Sequence, residues 1–250
     1  MRFIKIKGLQ VLVLCFLVAG VSAVAAPIAG SISGAGFATV SFTELNFCPT
    51  GMTPNGPNQV GACAPGTGNE TLGGGSLSLA SFTGDTVLSL NAGTEPIGVT
   101  VSLPDWLVFT PANGISLTLT EILPGTFSSA ACGSAVAAGQ TCTPTGSAFN
   151  LQNNTTTTST ASFVIIGNAV DGNPADTSPF QAIFSAQFGV PYQSLLAALS
   201  ANGGTGNYSS SYSVTITTTP SSTTPEPNTL ALLGAGLLGL GFLGRRKLVK

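Results

Sequence analysis

Apolar and hydroxyl-bearing positions alternate with a period of two along several stretches of this chain. Val99, Val101 and Leu103 are interleaved with Thr100 and Ser102, and Ile115, Leu117 and Leu119 with Ser116, Thr118 and Thr120. Phe184, Ala186 and Phe188 alternate with Ser185 and Gln187, and Tyr212, Val214 and Ile216 with Ser213, Thr215 and Thr217. Successive side chains on a strand point to opposite faces, so the pattern predicts half-buried antiparallel strands with a hydroxylated rather than charged outer face. Shorter candidates lie at 31–42, 76–82, 86–90, 107–110 and 161–166, set apart by Pro, Gly and Asn clusters at 49–57, 73–75, 111–114 and 171–174. Many short strands with such turns point to an all-β fold, an antiparallel β-sandwich. One short helix is expected at 192–200, begun after Pro191 and stopped by Asn202-Gly203-Gly204.

At the two ends the alternation gives way to unbroken apolar runs flanked by basic residues. Arg2, Lys5 and Lys7 precede an apolar stretch at 9–19, and Ala23-Val24-Ala25 supplies a small-x-small cleavage pattern, so residues 1–25 read as a secretory signal peptide. At the other end Pro225-Glu226-Pro227 is followed by an apolar run at 230–243 and then by Arg245, Arg246 and Lys247. Proline lacks an amide donor and fixes φ, so the Pro-x-Pro pair holds an extended segment that a processing enzyme could grip. In lipid the run that follows can satisfy its backbone only as a helix, expected over 229–244. At about 1.5 Å per residue the run reaches roughly 21 Å, short of the ~30 Å hydrocarbon core. The basic residues after it stop transfer and stay on the cytoplasmic side.

In that order, the Pro-Glu-Pro triplet, the short apolar helix and the Arg-Arg-Lys finish resemble the PEP-CTERM sorting signal of Gram-negative bacteria. The resemblance covers residues 225–247. It implies that a membrane enzyme of the exosortase type recognises Pro225, Glu226 and Pro227, while Arg245, Arg246 and Lys247 act as the membrane stop. It also implies transient contact with the membrane, followed by passage to the outer surface or the exopolysaccharide matrix. The expected organisation is then a signal peptide at 1–25, an exported β-sandwich at 26–216, a Ser/Thr-rich linker at 217–224 and a sorting segment at 225–250.

Charge sharpens this division. The seven basic residues all lie in the two ends, and from position 8 to 244 there is no Lys, Arg or His. The middle keeps eight acids, Glu44, Glu70, Asp85, Glu95, Asp105, Glu121, Asp171 and Asp176, so the formal net charge of -2 for the whole chain becomes about -8 once both ends are gone. Without cations to neutralise phosphates, nucleic acid is excluded as a partner. Of the five cysteines Cys15 leaves with the signal peptide, and Cys48, Cys63, Cys132 and Cys142 remain. Four cysteines allow three pairings. The intervening segments are short and rich in Pro, Gly, Thr and Ala, which favours Cys48 with Cys63 and Cys132 with Cys142 in an oxidising compartment.

Function classes narrow accordingly. A Ser-His-Asp triad, a Cys-His pair, a Schiff-base lysine and an arginine clamp on phosphate all lack their residues. Two facing acids could hydrolyse a glycoside, but the eight stand singly along the chain and spacing singles out no pair, so no enzyme is expected and a glycosidase-like activity is the most distant reading. Asp171, Asn173 and Asp176 place three oxygen ligands within six residues, as Ca²⁺ needs, on a segment that also reads as an ordinary turn. No other cofactor is implied. Trp106, beside Leu107, Val108 and Phe109, reads as core rather than as a platform for a sugar. The expected function is a secreted cell-surface or extracellular-matrix protein with a structural or adhesive role, exopolysaccharide being the polymer it would meet. The alternative is a carbohydrate-binding module, Ca²⁺-dependent if the 171–176 loop holds an ion.

Overall fold

In the computed structural model the described residues are 27–59, 63–111, 114–172 and 177–220. The expected signal peptide and sorting segment lie outside them, as do Asn173 and Asp176. Among the described residues no helix is long and apolar enough to cross a membrane.

The strands are β1 (Gly30–Val40), β2 (Glu44–Phe47), β3 (Gly56–Pro57), β4 (Thr67–Gly73), β5 (Gly84–Leu88), β6 (Leu90–Asn91) and β7 (Leu103–Thr110). They continue with β8 (Ser116–Ile122), β9 (Thr141–Cys142), β10 (Asn150–Asn153), β11 (Ser159–Val170), β12 (Ser178–Phe188) and, after helix α1 (Tyr192–Gly204), β13 (Tyr208–Thr218). The order β1, β4, β5, β7, β8, β11, β12, β13 is antiparallel at every step. The last strand then returns to the first along its whole length, Gly30 opposite Thr218 and Val40 opposite Tyr208. The expected β-sandwich is therefore corrected to a closed eight-stranded barrel, with the remaining strands attached at its rim. Period-two alternation describes an inward face equally well in both architectures. The difference lies in whether the first and last strands find each other, which is a long-range pairing.

Closure gives the barrel two unlike ends. Because Gly30 faces Thr218, both ends of the barrel's chain leave from one side, where the shorter connections 74–83, 111–115 and 171–177 also lie. The long connections 41–66, 89–102, 123–158 and 189–207 all sit at the opposite side, the loop end.

Inside and outside follow the alternation. Along β11 every second residue from Ser159 to Ala169 is buried, and on β13 Tyr212, Val214 and Ile216 are buried while Ser213, Thr215 and Thr217 are exposed. An apolar interior under a hydroxylated exterior is the reverse of a membrane-spanning barrel, whose lipid-facing band is apolar. Trp106 is fully buried and stacks on Phe180 with ring centroids 6.1 Å apart, as a core residue. Gly34 and Gly36 face inward on β1, where a Cβ would stand 2.7 Å from Leu72 Cδ2 and 2.8 Å from the Tyr212 hydroxyl, respectively. They are the clearance that lets larger side chains cross the lumen.

Several local expectations change. Residues 76–82 form no strand but a 3₁₀ turn at Leu77–Leu79, which packs against the start of β1 and buries Leu79. Val99 and Val101 precede β7 rather than belonging to a strand. Strand β4 was not expected, because its inward positions Gly68, Glu70 and Leu72 include only one hydrophobe. At the C-terminal side β13 runs through Thr218, so Thr217 and Thr218 are part of the barrel seam and not of a linker. Helix α1 follows Pro191 and loses helical geometry at Ala201, with Asn202 and Gly203 at φ 55° and 74°, as the sequence predicts.

Ser33 and Thr215 are outward, exposed register partners across the closing seam. Such pairs stand about 4.5–5.5 Å apart at Cα, within disulfide range. A Ser33→Cys, Thr215→Cys double variant should form a new crosslink under mild oxidation, detected as a linked peptide pair by mass spectrometry. A sheet open at β1 and β13 would leave both thiols free to alkylate.

Candidate functional site

The loop end is where the chain spends most of its irregular length, and two disulfides hold it. Cys48 is joined to Cys63 and Cys132 to Cys142, with Cα–Cα distances of 4.9 and 5.1 Å, each stapling one long connection. Strand β2 is drawn against β4 at this end: Asn69 donates its backbone N–H to the Cys48 carbonyl at 3.0 Å, and Gly68 leaves room for Phe47, which a Cβ would meet at 2.4 Å. Helix α1 is fixed by Tyr192, fully buried, whose N–H donates to Asn153 Oδ1 at 2.9 Å and whose hydroxyl donates to the Ala131 carbonyl at 2.9 Å. The side-chain acceptor Asn153 replaces one of the carbonyls that a helix start lacks.

Between these elements lies a cavity of about 260 Å³. Its floor is aromatic: Phe163 stacks on Phe184 at 4.7 Å, and Phe47 and Tyr212 each approach Phe184 within 5.8 Å. Its walls include Ala38, Ala161, Ala186 and Ser210, and its roof Leu195, Leu196 and Leu199 of α1, with Phe42 at the rim. Pockets of this kind, at the mouth of a barrel and mostly apolar with a few polar groups, are the usual form of a small-molecule site.

Beneath the floor the barrel holds two acids that spacing did not bring together. Glu70 on β4 and Asp85 on β5 are direct register partners and are 4% and 3% exposed. Asp85 Oδ1 accepts the Glu70 N–H at 3.0 Å, and the Tyr212 hydroxyl donates to Glu70 Oε1 at 2.7 Å. Glu70 Oε2 and Asp85 Oδ2 are buried and meet no hydrogen-bond donor among the described groups. Burial pushes the Glu70 carboxyl up, and burial together with the Glu70 charge pushes Asp85 up to about 9. Burial and the same carboxylate keep the Tyr212 hydroxyl protonated, so it remains a donor. Two like charges cannot be held side by side in a low-dielectric interior, and the pair keeps at least one proton at neutral pH. Neither acid lines the cavity: a molecule seated there would meet the Tyr212 ring.

The other residues singled out from sequence are dispersed. Asp171 lies in the connection after β11, at the side of the barrel away from the cavity. Its expected co-ligands Asn173 and Asp176 are outside the described residues, as are Pro225, Glu226, Pro227, Arg245, Arg246 and Lys247. Among the described residues no group of three or more His, Cys, Asp or Glu side chains could hold a metal. The Glu70–Asp85 pair had a faint sequence signal. Glu70 alternates inward with Gly68 and Leu72, and Asp85 with Val87, but only the β4–β5 register sets them opposite one another.

Residues 223–247 match the family model of the PEP-CTERM protein-sorting motif, about a tenth of the chain and none of the barrel. No curated protein and no solved structure matches the chain. The motif implies export, processing by an exosortase-type enzyme and association with the cell surface or membrane.

The acid pair sets the sign of the barrel's pH dependence. The unfolded Asp85 releases its proton near 3.8 while the folded one holds it to about 9, so the native state binds more protons across that window. Stability is therefore greatest at the acid side and falls as pH rises, by up to about 1.4 kcal/mol per pH unit for one proton. Melting temperature followed by circular dichroism should decline from pH 5 to pH 9, and Asp85→Asn should flatten that decline and raise the melting temperature at pH 8. An unchanged slope in Asp85→Asn would remove the pair as its cause.

Proposed function

We propose that this chain, which carries the PEP-CTERM sorting motif, is a secreted surface protein whose barrel is displayed with its loop end outward, in a structural or adhesive role. The observation that carries the reading is the polarity of the barrel. The sorting segment follows β13, and β13 ends at Thr218, on the side opposite the four long connections, two of them stapled by disulfides. A chain held at its C-terminal end during sorting would present those connections to the exterior, where loops on a rigid scaffold do their binding. The hydroxylated exterior, without a single cation from 8 to 244, suits a hydrated exopolysaccharide matrix made of neutral polymer.

A carbohydrate-binding module is the rival, and Trp106 does not favour it, since the one tryptophan is interior and offers no stacking face. In this reading the Glu70–Asp85 pair is a packed structural element and not an acid–base couple, because catalysis needs contact with the reacting group.

Mass spectrometry of both termini of the protein in fractionated cells tests the proposal. The expected surface species begins near residue 26 and lacks the apolar run after Pro225-Glu226-Pro227, whereas a Pro225→Ala, Pro227→Ala variant keeps that run and stays with the membrane fraction. Recovery of the intact wild-type chain from cytosol would overturn the reading. Retention of the purified surface form on a defined glycan, lost on chelation, would replace it with the carbohydrate-binding module.

A further inference from the structure

We propose that the cavity at the loop end is a binding site for a small neutral molecule with an apolar body and one hydroxyl group. The cavity arises from a change of side-chain size along the barrel. At one level Phe47, Phe163, Phe184 and Tyr212 fill the cross-section, as side chains do in an eight-stranded barrel. Toward the loops, inward positions on four of the strands become small. Ala38 on β1 lies opposite Ser210 on β13, and Ala161 on β11 lies opposite Ala186 on β12.

Protein interiors rarely leave voids much larger than a water molecule. A dry cavity of roughly 150 Å³ lined by Leu, Ile and Phe takes up benzene, and on that scale about 260 Å³ has room for about ten non-hydrogen atoms. The space is reached past Phe42, which is 50% exposed at the rim, and beneath Leu196 and Leu199 of α1.

The walls also select the occupant's chemistry. They carry no Asp, Glu, Lys or Arg, so a charged headgroup drawn inside would lose its hydration without gaining a counter-charge. Ser210 is the deep polar wall residue, only 9% exposed, and its hydroxyl proton is committed to the Ser211 carbonyl at 3.0 Å. What Ser210 has left to offer is its oxygen, an acceptor that a ligand hydroxyl would satisfy. This inference does not depend on how the chain is sorted, since the cavity is a property of the barrel alone.

Calorimetric titration of the protein recovered from producing cells tests it with three probes of one length: 1-octanol, octanoate and heptyl methyl ether. One 1-octanol per chain is expected, with octanoate at least about tenfold weaker. The ether, which cannot donate, should be about three- to tenfold weaker, and Ser210→Ala should erase the difference between alcohol and ether. Ala186→Phe, and separately Ala38→Leu, should abolish uptake in chains that still melt cooperatively. Absence of saturable 1-octanol binding to the wild type overturns the proposal, as does octanoate binding as tightly as the alcohol. Those two wild-type comparisons stand even if a cavity-filling variant fails to fold. Undiminished binding by a folded Ala186→Phe chain would place the ligand elsewhere and overturn it equally.

Discussion

The pairing of β1 with β13 is the constraint on which the rest of the structure depends. Until the first and last strands meet, the sheet has two exposed edges, and its inward face has nothing to pack against but itself. When Gly30 reaches Thr218 and Val40 reaches Tyr208, the edges vanish and the inward face becomes a lumen. The same act brings both ends of the folded chain to one side and leaves every long connection at the other. The contact joins residues nearly two hundred positions apart, so it is among the last in the chain that local structure could secure.

Within that lumen, volume is managed by pairs of large and small residues. Gly34 and Gly36 stand aside for Leu72 and for the Tyr212 hydroxyl, which reaches over β1 to Glu70. Gly68 stands aside for Phe47, which lets β2 fold in and close the upper part of the β1–β4 gap. Where four neighbouring positions are small at once, at Ala38, Ser210, Ala186 and Ala161, no large residue crosses to use the room and a cavity remains. The two carboxyls below it are the least comfortable feature of the interior. A buried pair of acids is tolerated because a retained proton removes one charge and the Tyr212 hydroxyl donates to Glu70.

The loop end carries its own support. Its connections are long, and each disulfide closes a loop whose opening would gain the unfolded chain considerable freedom. Tyr192 and Asn153 tie α1 to the second stapled loop, and Tyr192 and Leu195 pack with Cys142, Leu151 and Ala161 in a second apolar cluster, so hydrogen bonds and packing hold the roof of the cavity together. Such an arrangement is suited to an oxidising exterior, in agreement with a motif that directs the chain there.

Local chemistry was enough to read some of this directly. The Ser/Thr alternation on β8, β12 and β13, the arrest of α1 at Asn202 and Gly203, the core placement of Trp106 and the sequence-local disulfides all follow from neighbours within a few residues or from loop composition. The sorting motif was legible for the same reason, being a linear signal at 223–247. Tertiary structure alone decided that the sheet closes into a barrel rather than stacking as a sandwich, that β4 is a strand despite its Gly68 and Glu70, and that Glu70 and Asp85 face each other. It also decided that four small side chains from four strands line one cavity. Each of these is a matter of register between distant segments, and register is set by the closure of the whole sheet, which no window of sequence contains.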